Sequence, residues 1–169
     1  MTTKTDILDC AREVLRRGDS LTMDSVASEA DLTKAGVVHH FGSKEVLMLA
    51  VLDHLLDRWE GELNARAGDG AGPRERLRAY VEYTLLSDMD TSDLALLADP
   101  KLFDTLSNRW SERMDGWFGK MQDPRLVTAR LVADGAWIDR CLDLLHVEEA
   151  DRIATVELVN SLIWEGDEV

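Results

Sequence analysis

The segment at residues 22–47, TMDSVASEADLTKAGVVHHFGSKEVL, constrains the fold of this chain more than any other. Its apolar residues recur at helical spacing in two short runs, and Thr22 and Thr33 stand where each run needs an N-terminal cap. Asp31 lies between the runs, and Asp tolerates the left-handed backbone that a tight turn requires. The pattern predicts two short helices joined by a turn, the second at about 34–40, with a break at Gly42-Ser43 and a longer helix beyond it.

Helical spacing also extends through the rest of the chain. A first helix is expected at 4–17, where Thr3 and Asp6 have the spacing of a capping box. The later helices are predicted at 44–66, 74–87, 93–97, 101–121 with a break considered near Leu106-Ser107, 125–145 and 149–164. No strand, repeat or low-complexity tract is apparent in the sequence. The fold is therefore predicted to be all-α.

Composition excludes several classes of protein. The chain has 169 residues, 45% of them hydrophobic, which is enough to bury the core of one domain or of a small domain joined to a larger one. It has no run of about 18 apolar residues that would span a membrane, and its N-terminus lacks the apolar core of a signal peptide. Cys10 and Cys141 have no metal-binding context, so we expect free thiols, a cytoplasmic location, no metal and no cofactor.

Net charge limits how the chain can contact nucleic acid. The whole chain carries −14, residues 1–48 carry 6 Lys/Arg against 8 Asp/Glu, and residues 49–169 carry 13 against 25. Phosphate contacts favour basic surfaces. Binding to DNA would have to depend on a few well-placed donors and would be strongly salt-dependent.

The predicted helix that follows Thr33 has the properties of one that can enter a DNA groove. Backbone N–H groups at its N-terminus suit a phosphate oxygen, and Lys34 can reach a guanine edge or a phosphate. Gly36 costs about 1 kcal/mol relative to Ala in a helix, so a compensating role is expected. Together with Ala35 it leaves little side-chain bulk, which allows close approach to base edges.

Three further donors, His39, His40 and Lys44, lie at the end of this helix and the start of the next, where they can contact the DNA backbone. Each residue taken singly is more often an ordinary surface position, and adjacent histidines face different ways on a helix, which makes them a poor metal site. As an ordered set these residues are much more specific.

Residues 4–47 resemble the DNA-binding region of the tetracycline-repressor (TetR) family. The family pattern is matched at Thr22…Val26-Ala27, Ala30-Asp31-Leu32-Thr33, Val37, His40-Phe41 and Lys44…Leu47. The chain departs from it at Asp31, where the family usually has Gly, and at Val38-His39, where one or two tyrosines are usual. The later helices agree with the family only in number and order.

The resemblance implies a dimeric repressor with a helix-turn-helix DNA-binding domain at 1–48 and a helical ligand-binding and dimerisation domain at 49–169. It also assigns the contacts with double-stranded operator DNA. Groove-facing positions are Thr33, Lys34, Ala35, Gly36 and His39, and phosphate-contact positions are Thr22, His40 and Lys44.

The last two predicted helices are apolar on more than one side. Such helices bury two faces, here against an internal core and against a second copy of the chain. Two copies would form a four-helix interface, so we expect a homodimer through these helices. The alternative is that they are central core helices of a monomer.

Tryptophan and methionine form one stripe at 106–121, which suits either an ordinary core or a pocket for varied apolar ligands. Asp134 has two interpretations: it neutralises a cationic ligand, or it pairs with Arg130 one turn earlier. Asp99 is a weaker second candidate for the same role. We therefore expect a small lipophilic effector, with a cationic one as a candidate. The predicted contacts are Phe103, Trp110, Met114, Trp117, Met121, Asp134 and Trp137.

These patterns bear on three possible functions. The first is a transcriptional repressor that an effector releases from DNA. The second is an enzyme, which the sequence disfavours because it contains no nucleophile elbow, phosphate loop or metal-binding cluster. The third is a helical interaction protein that retains the motif only as a fold element, which the net charge of −2 in residues 1–48 keeps open.

Overall fold

The structure is a computed structural model that describes residues 2–164, with the exception of the Leu96 side chain. Within those residues the secondary structure is entirely helical, which confirms the predicted all-α fold. The α-helices are α1 (Lys4–Arg16), α2 (Met23–Glu29), α3 (Lys34–Phe41), α4 (Lys44–Ala67), α5 (Pro73–Leu86), α6 (Phe103–Phe118), α7 (Pro124–Leu142) and α8 (Glu149–Trp164), and a 3-10 helix occupies Thr91–Leu97. No helix among the described residues is long and apolar enough to cross a membrane.

Local capping residues define the N-terminal helices, as their sequence predicts. Thr3 and Asp6 form a reciprocal capping box at the start of α1. The Thr22 hydroxyl accepts from the Ser25 backbone N–H at the start of α2. At the start of α4, the Ser43 hydroxyl accepts a hydrogen bond from the backbone N–H three residues later, at 3.2 Å. These caps satisfy N–H groups that have no partner inside the helix.

The chain divides into two compact units. The first contains the described residues up to Arg58 together with Asp90–Glu112. In it α2 packs on α1 and α3, and the 3-10 helix packs on α1. The core of this unit consists of fully or almost fully buried apolar side chains, among them Ile7, Ala11, Val14, Val26, Val37, Phe41, Leu47, Val51 and Leu55.

The second unit contains Trp59–Met89 and the described residues from Arg113 onward. Here α5 packs against α7 and α8, which also pack against each other. Its core is rich in aromatic side chains, and the buried set includes Trp59, Leu63, Leu77, Tyr80, Met114, Phe118, Trp137, Val159 and Ile163.

The prediction for the segment at 101–121 was wrong in three details, the first of which is the start, because α6 begins at Phe103. α6 runs without interruption through Leu106, whose side chain is fully buried and holds the helix at the proposed break. The helix ends at Phe118 because Gly119 adopts a left-handed conformation with φ of 67°. Met121 therefore lies beyond the helix and does not continue its stripe of tryptophan and methionine.

Candidate functional site

A tight turn between α2 and α3 sets the direction of α3. Asp31 has φ of 52°, the left-handed conformation that its position in the sequence predicts. The Leu32 backbone N–H donates to the Ala27 carbonyl at 2.8 Å and closes the end of α2. Thr33 then starts α3 by accepting from the Gly36 backbone N–H at 3.1 Å.

One side of α3 anchors it and the other is exposed. Val37 and Phe41 are buried against the first unit. The outward side presents exposed residues together with the half-buried Gly36 and His40, and the exposed ones are Thr33, Lys34, Ala35, Val38 and His39. The eight residues predicted to contact DNA thus share one unit and lie on α3 or at the first turns of α2 and α4.

Gly36 has room for a larger residue within the chain itself. A methyl group built on its Cα would meet the Thr33 hydroxyl oxygen at 3.5 Å and the Leu32 Cβ at 3.7 Å, both ordinary van der Waals distances. The fold of this chain therefore does not require glycine here. An external surface that approaches α3 closely is a reason for glycine that internal packing does not supply.

Two lysines at this site already have acidic partners. Lys34 Nζ lies 2.8 Å from an Asp24 carboxylate oxygen, and both side chains are more than half exposed, at 59% and 68%. Exposed pairs of this kind contribute little to stability, typically about 0–1 kcal/mol. Lys34 can therefore leave Asp24 for another anion at small cost.

Lys44 is held more firmly. Its Nζ lies 2.5 Å from a carboxylate oxygen of Asp99, whose side chain is only 10% exposed. The other Asp99 oxygen accepts from the Lys101 backbone N–H at 2.9 Å. The hydrogen bond from Lys44 and then that from Lys101 hold the pKa of the Asp99 carboxyl below its usual value. Asp99, a weaker candidate for neutralising a cationic ligand, is instead the partner of a lysine.

The residues predicted to contact an effector fall into both units. Phe103, 44% exposed, and the half-buried Trp110 belong to the first unit. The other five belong to the second unit. Three of them are buried, namely Met114, Trp117 and Trp137, and two are half-buried, namely Met121 and Asp134.

The second unit has an aromatic cluster around these buried residues. The Trp59 ring packs edge-on against Trp137 at 5.3 Å and against Tyr83 at 5.1 Å. The indole N–H of Trp117 is buried without a hydrogen-bond acceptor. An unsatisfied buried donor is costly, so an acceptor atom of a ligand would be stabilised beside it.

Asp134 makes the more common of its two predicted interactions. Its carboxylate accepts from the Arg130 Nε at 2.8 Å and from the Tyr80 hydroxyl at 2.7 Å. The Arg130 guanidinium also lies 3.8 Å from the centre of the Phe118 ring. Burial, and then the charge of Asp134, raise the pKa of Tyr80 well above its usual value. The acid is therefore already paired, and cationic groups already cover nearby aromatic faces.

Large apolar side chains are exposed on α7 and α8. On α7 they recur at helical spacing, at Val127, Leu131, Ile138 and Leu142. Those on α8 are Ile153, Leu158 and Trp164. The most exposed on each helix are Leu131 at 66% and Leu158 at 65%.

The sequence did not point to a cavity that lies between α5, α7 and α8. Two arginines, Arg140 of α7 and Arg152 of α8, line it. They are 12 residues apart on different helices, so no spacing rule for a single helix connects them. The net charge of −14 gave a further reason to expect arginines in ion pairs.

An exposed helix that follows a tight turn and is mounted on two other short helices defines the helix-turn-helix class of DNA-binding domain. A family profile described as bacterial regulatory proteins, tetR family, matches residues 7–51. A second, described as the tetracyclin repressor-like C-terminal domain, matches residues 74–163, more than half of the chain. The chain belongs to the TetR family of transcriptional regulators, which are DNA-binding proteins and not enzymes.

Curated relatives match over part of their length. The HTH-type transcriptional regulator BetI of Brucella anthropi is 37% identical over 78 residues, which are 45% of this chain and 40% of that protein. BetI of Agrobacterium fabrum is 34% identical over 89 residues, 52% of this chain and 43% of that protein. The matched region thus spans about two fifths of these relatives.

Solved structures show the same fold over nearly the whole chain. A TetR-like transcriptional regulator from Rhodococcus sp. RHA1 has 20% sequence identity and a TM-score of 0.64, with 96% of this chain and 94% of that one covered. AibR, in complex with isovaleryl coenzyme A and operator DNA, has 21% identity and a TM-score of 0.61, with 91% and 96% covered.

Proposed function

We propose that this chain is a homodimeric transcriptional repressor that binds a palindromic operator and is released from it by a small lipophilic effector. Residues 1–48 are the proposed DNA-binding domain, and residues 49–169 the proposed effector-binding and dimerisation domain. The outward side of α3 carries the proposal, because Ala35 and Gly36 leave its N-terminus open to a large ligand. The protein acts on DNA in the cytoplasm.

In this proposal α3 enters the major groove with its N-terminal turn leading. Ala35 and Gly36 approach the base edges, and Lys34 leaves Asp24 to contact a guanine edge or a phosphate. Thr33 keeps α3 capped, so that the free backbone N–H groups of the first turn face a phosphate. His39, exposed one turn further on, lies on the groove side.

Contacts to the DNA backbone fix the register of α3 in the groove. We assign them to Thr22, His40 and Lys44, which stand at the start of α2, near the end of α3 and at the start of α4. Lys44 exchanges the Asp99 carboxylate for a DNA phosphate. Its net contribution to the free energy of DNA binding is therefore smaller than that of an unpaired lysine. The modest gain agrees with the net charge of −2 in residues 1–48.

Dimerisation is proposed through α7 and α8. Leu131 and Leu158 are about two thirds exposed in the single chain, and water around large apolar groups is unfavourable. Packing the two helices against the same pair of a second copy covers both and produces a two-fold axis. Such a dimer matches half-sites about one to two helical turns apart.

The effector acts by favouring a dimer conformation whose two α3 helices do not fit consecutive grooves. It must bind that conformation more tightly than the DNA-bound one. Met114, Trp117 and Trp137 provide apolar contact area, and the unpartnered N–H of Trp117 selects a ligand with an acceptor atom. Phe103, Trp110 and Met121 are further proposed contacts.

A cationic effector is the second candidate for this site. It would have to displace Arg130 from Asp134, where the carboxylate also holds the Tyr80 hydroxyl. Separating the arginine from a part-buried carboxylate costs free energy, and that cost would weaken the binding of a cationic ligand. A neutral lipophilic ligand with an acceptor atom is therefore the better fit.

The test of DNA binding is a gel shift with the DNA upstream of the chain's own gene, together with selection of bound sequences from random DNA. We expect a sequence-specific complex that weakens steeply as salt is raised. Lys34→Ala should weaken it, and tryptophan fluorescence should report effector binding. If no specific complex forms even at low salt, and Lys34→Ala changes nothing, the chain is a helical interaction protein and the repressor proposal fails.

A further inference from the structure

The cavity between α5, α7 and α8 has the properties of a ligand site, and the effector region proposed above does not include it. Its volume is about 370 Å³, which falls in the usual range of small-molecule sites, about 300–1,000 Å³. Apolar side chains, among them Leu85, Val132, Ala136 and Val147, form most of its wall. A cavity of this size and lining suits the apolar part of a small molecule.

Arg140 and Arg152 supply the polar part of the wall. Arg140 donates from Nη1 to the Thr84 carbonyl at 3.1 Å, and Arg152 donates from Nη1 to the Val147 carbonyl at 2.6 Å. The Arg152 Nε–H is buried and has no acceptor. Within residues 2–164, neither guanidinium makes an ion pair with a carboxylate.

Unpaired arginines stand out in so acidic a chain. The sequence has 33 acidic residues for 19 Lys/Arg, and other arginines of the same unit pair readily, as Arg125 does with Asp123 at 2.8 Å. Among the described residues that line the cavity, the one acid is Asp139, one oxygen of which accepts from the Leu145 backbone N–H at 2.9 Å. Burial, and then the charge of Arg152, lower the pKa of Arg140. Two cations that repel each other would both be stabilised by one shared anion.

The arginines also line a second, smaller hollow that adjoins the cavity. It measures about 190 Å³ and is lined by Asp139, Arg140, Asp143, His146, Val147 and Arg152. Asp143 is occupied by a hydrogen bond with His146 at 2.9 Å. The guanidinium groups therefore stand between an apolar space and a polar one, which is the arrangement that an amphipathic anion requires.

We propose that this cavity binds a small amphipathic carboxylate, whose head group is shared by Arg140 and Arg152 and whose apolar part packs on Val132, Ala136 and Val147. Arginine suits this role because its planar N–H groups match the two oxygens of a carboxylate. The unsatisfied Nε–H of Arg152 gains an acceptor. This site does not depend on DNA binding, and failure of the repressor proposal would leave it standing.

The test compares three probes of equal chain length on the intact protein by isothermal titration calorimetry: octanoate, octanol and octylamine. We expect octanoate to bind at least about tenfold more tightly than octanol, because a carboxylate accepts charge-assisted hydrogen bonds from the guanidinium groups and a neutral hydroxyl does not. Octylamine should not bind. Equal affinity for octanoate and octanol would overturn the proposal, and this comparison needs only the native chain.

Variants then assign the binding to the two arginines. Arg140→Gln and Arg152→Gln should each weaken octanoate binding about tenfold or more and leave octanol unchanged. Arg125→Gln, which removes a paired arginine outside the cavity, is the matched control and should bind octanoate normally. The proposal fails if the two cavity variants bind octanoate as the native chain does.

A carboxylate of a second copy of the chain is the competing partner for these arginines, because Leu145 in the cavity wall is 72% exposed. Sedimentation of the same variants separates the two cases. We expect the oligomeric state to be unchanged in Arg140→Gln and Arg152→Gln. A shift to monomer without any binding of octanoate would assign the arginines to an interface and overturn the ligand proposal.

Discussion

The exposed side of α3 and the exposed sides of α7 and α8 differ in what they present to water. On α3 the outward residues are small or polar except for Val38, which is 39% exposed, and the neighbouring cations Lys34 and Lys44 have acidic partners that they can exchange. On α7 and α8 the outward residues include leucines that are about two thirds exposed, such as Leu131 and Leu158. The charged groups at α3 have hydrogen-bond partners when no ligand is bound, whereas the apolar groups on α7 and α8 remain unfavourably exposed to water.

The difference indicates how long each surface stays covered. Ion pairs can be replaced by water and salt at small net cost, so a polar surface can bind and release a partner repeatedly. Exposed apolar area is unfavourable whenever it is uncovered, at roughly 25 cal/mol per Å². We therefore expect a reversible contact with DNA at α3 and a persistent contact between subunits at α7 and α8.

The largest effect is expected when the apolar surface is made charged. Leu131→Glu combined with Leu158→Glu should raise the dissociation constant of the dimer by about 100-fold or more, because burying an unpaired carboxylate costs several kcal/mol. Both positions are exposed in the single chain, so the fold should survive. Sedimentation velocity measures the change. Leu86→Glu, at an exposed leucine of α5, is the control and should remain dimeric.

Removal of the exposed lysine of α3 should have the next largest effect. If Lys34 reads a guanine, Lys34→Ala should weaken operator binding by about 10- to 100-fold and relax specificity at one base pair. If it contacts a phosphate, binding should weaken uniformly and the salt slope should fall by about one. Binding curves at several salt concentrations distinguish the two cases, with Lys120→Ala, exposed in the second unit, as control. Unchanged affinity at all salt concentrations would remove Lys34 from the interface.

Gly36→Ala should separate stability from DNA binding. A methyl group fits within the chain, and alanine is favoured over glycine in a helix by up to about 1 kcal/mol, so thermal stability should rise. Operator affinity should fall, because the methyl group occupies space that the DNA needs. Gly61→Ala, at an exposed glycine inside α4, should stabilise the chain without any effect on DNA. Equal DNA affinity for the two variants would show that α3 does not approach DNA at Gly36.

The smallest effect is expected at Asp99. Asp99→Asn removes the charge that holds Lys44, so operator affinity should rise a few-fold. Because the pKa of Asp99 is lowered in the fold, its contribution to stability is fully present above the unfolded value of about 3.9 and is lost as the pH falls through the lower folded value. Asp99→Asn should therefore destabilise the chain at neutral pH and have less effect below pH of about 4. Chemical denaturation at both pH values measures this, and no difference between them would contradict the pairing.

The sequence predicted α1, α3 and α4 to within one residue at each end, and the residue that caps α2, because local signals define them. Thr3, Thr22, Thr33 and Ser43 each cap the helix that follows, and side chains within three residues are enough to form such caps. Here local preference and tertiary packing agree. For the same reason, the exposed and buried sides of α3 could be assigned in advance.

Contacts between residues far apart in the chain were harder to predict from the sequence. A helix break near Ser107 was one prediction from the sequence, but burial of Leu106 keeps α6 continuous. The sequence left the partner of Asp134 open between a cationic ligand and Arg130, and it did not predict the hydrogen bond from Tyr80, which joins residues 54 positions apart. The cavity with Arg140 was not predicted at all, since three separate helices form its wall. Such features depend on how helices meet, which helical spacing does not encode.

At Asp31, in the left-handed turn, a single substitution changes both the backbone strain and the charge next to the proposed DNA contact. A side chain in this conformation costs on the order of 1 kcal/mol relative to glycine, and the carboxylate adds a negative charge beside the proposed contact with DNA. Codons for aspartate and glycine differ by a single base. One point mutation would therefore relieve the backbone and reduce electrostatic repulsion together, so natural selection has a short route at this residue to a tighter-binding regulator.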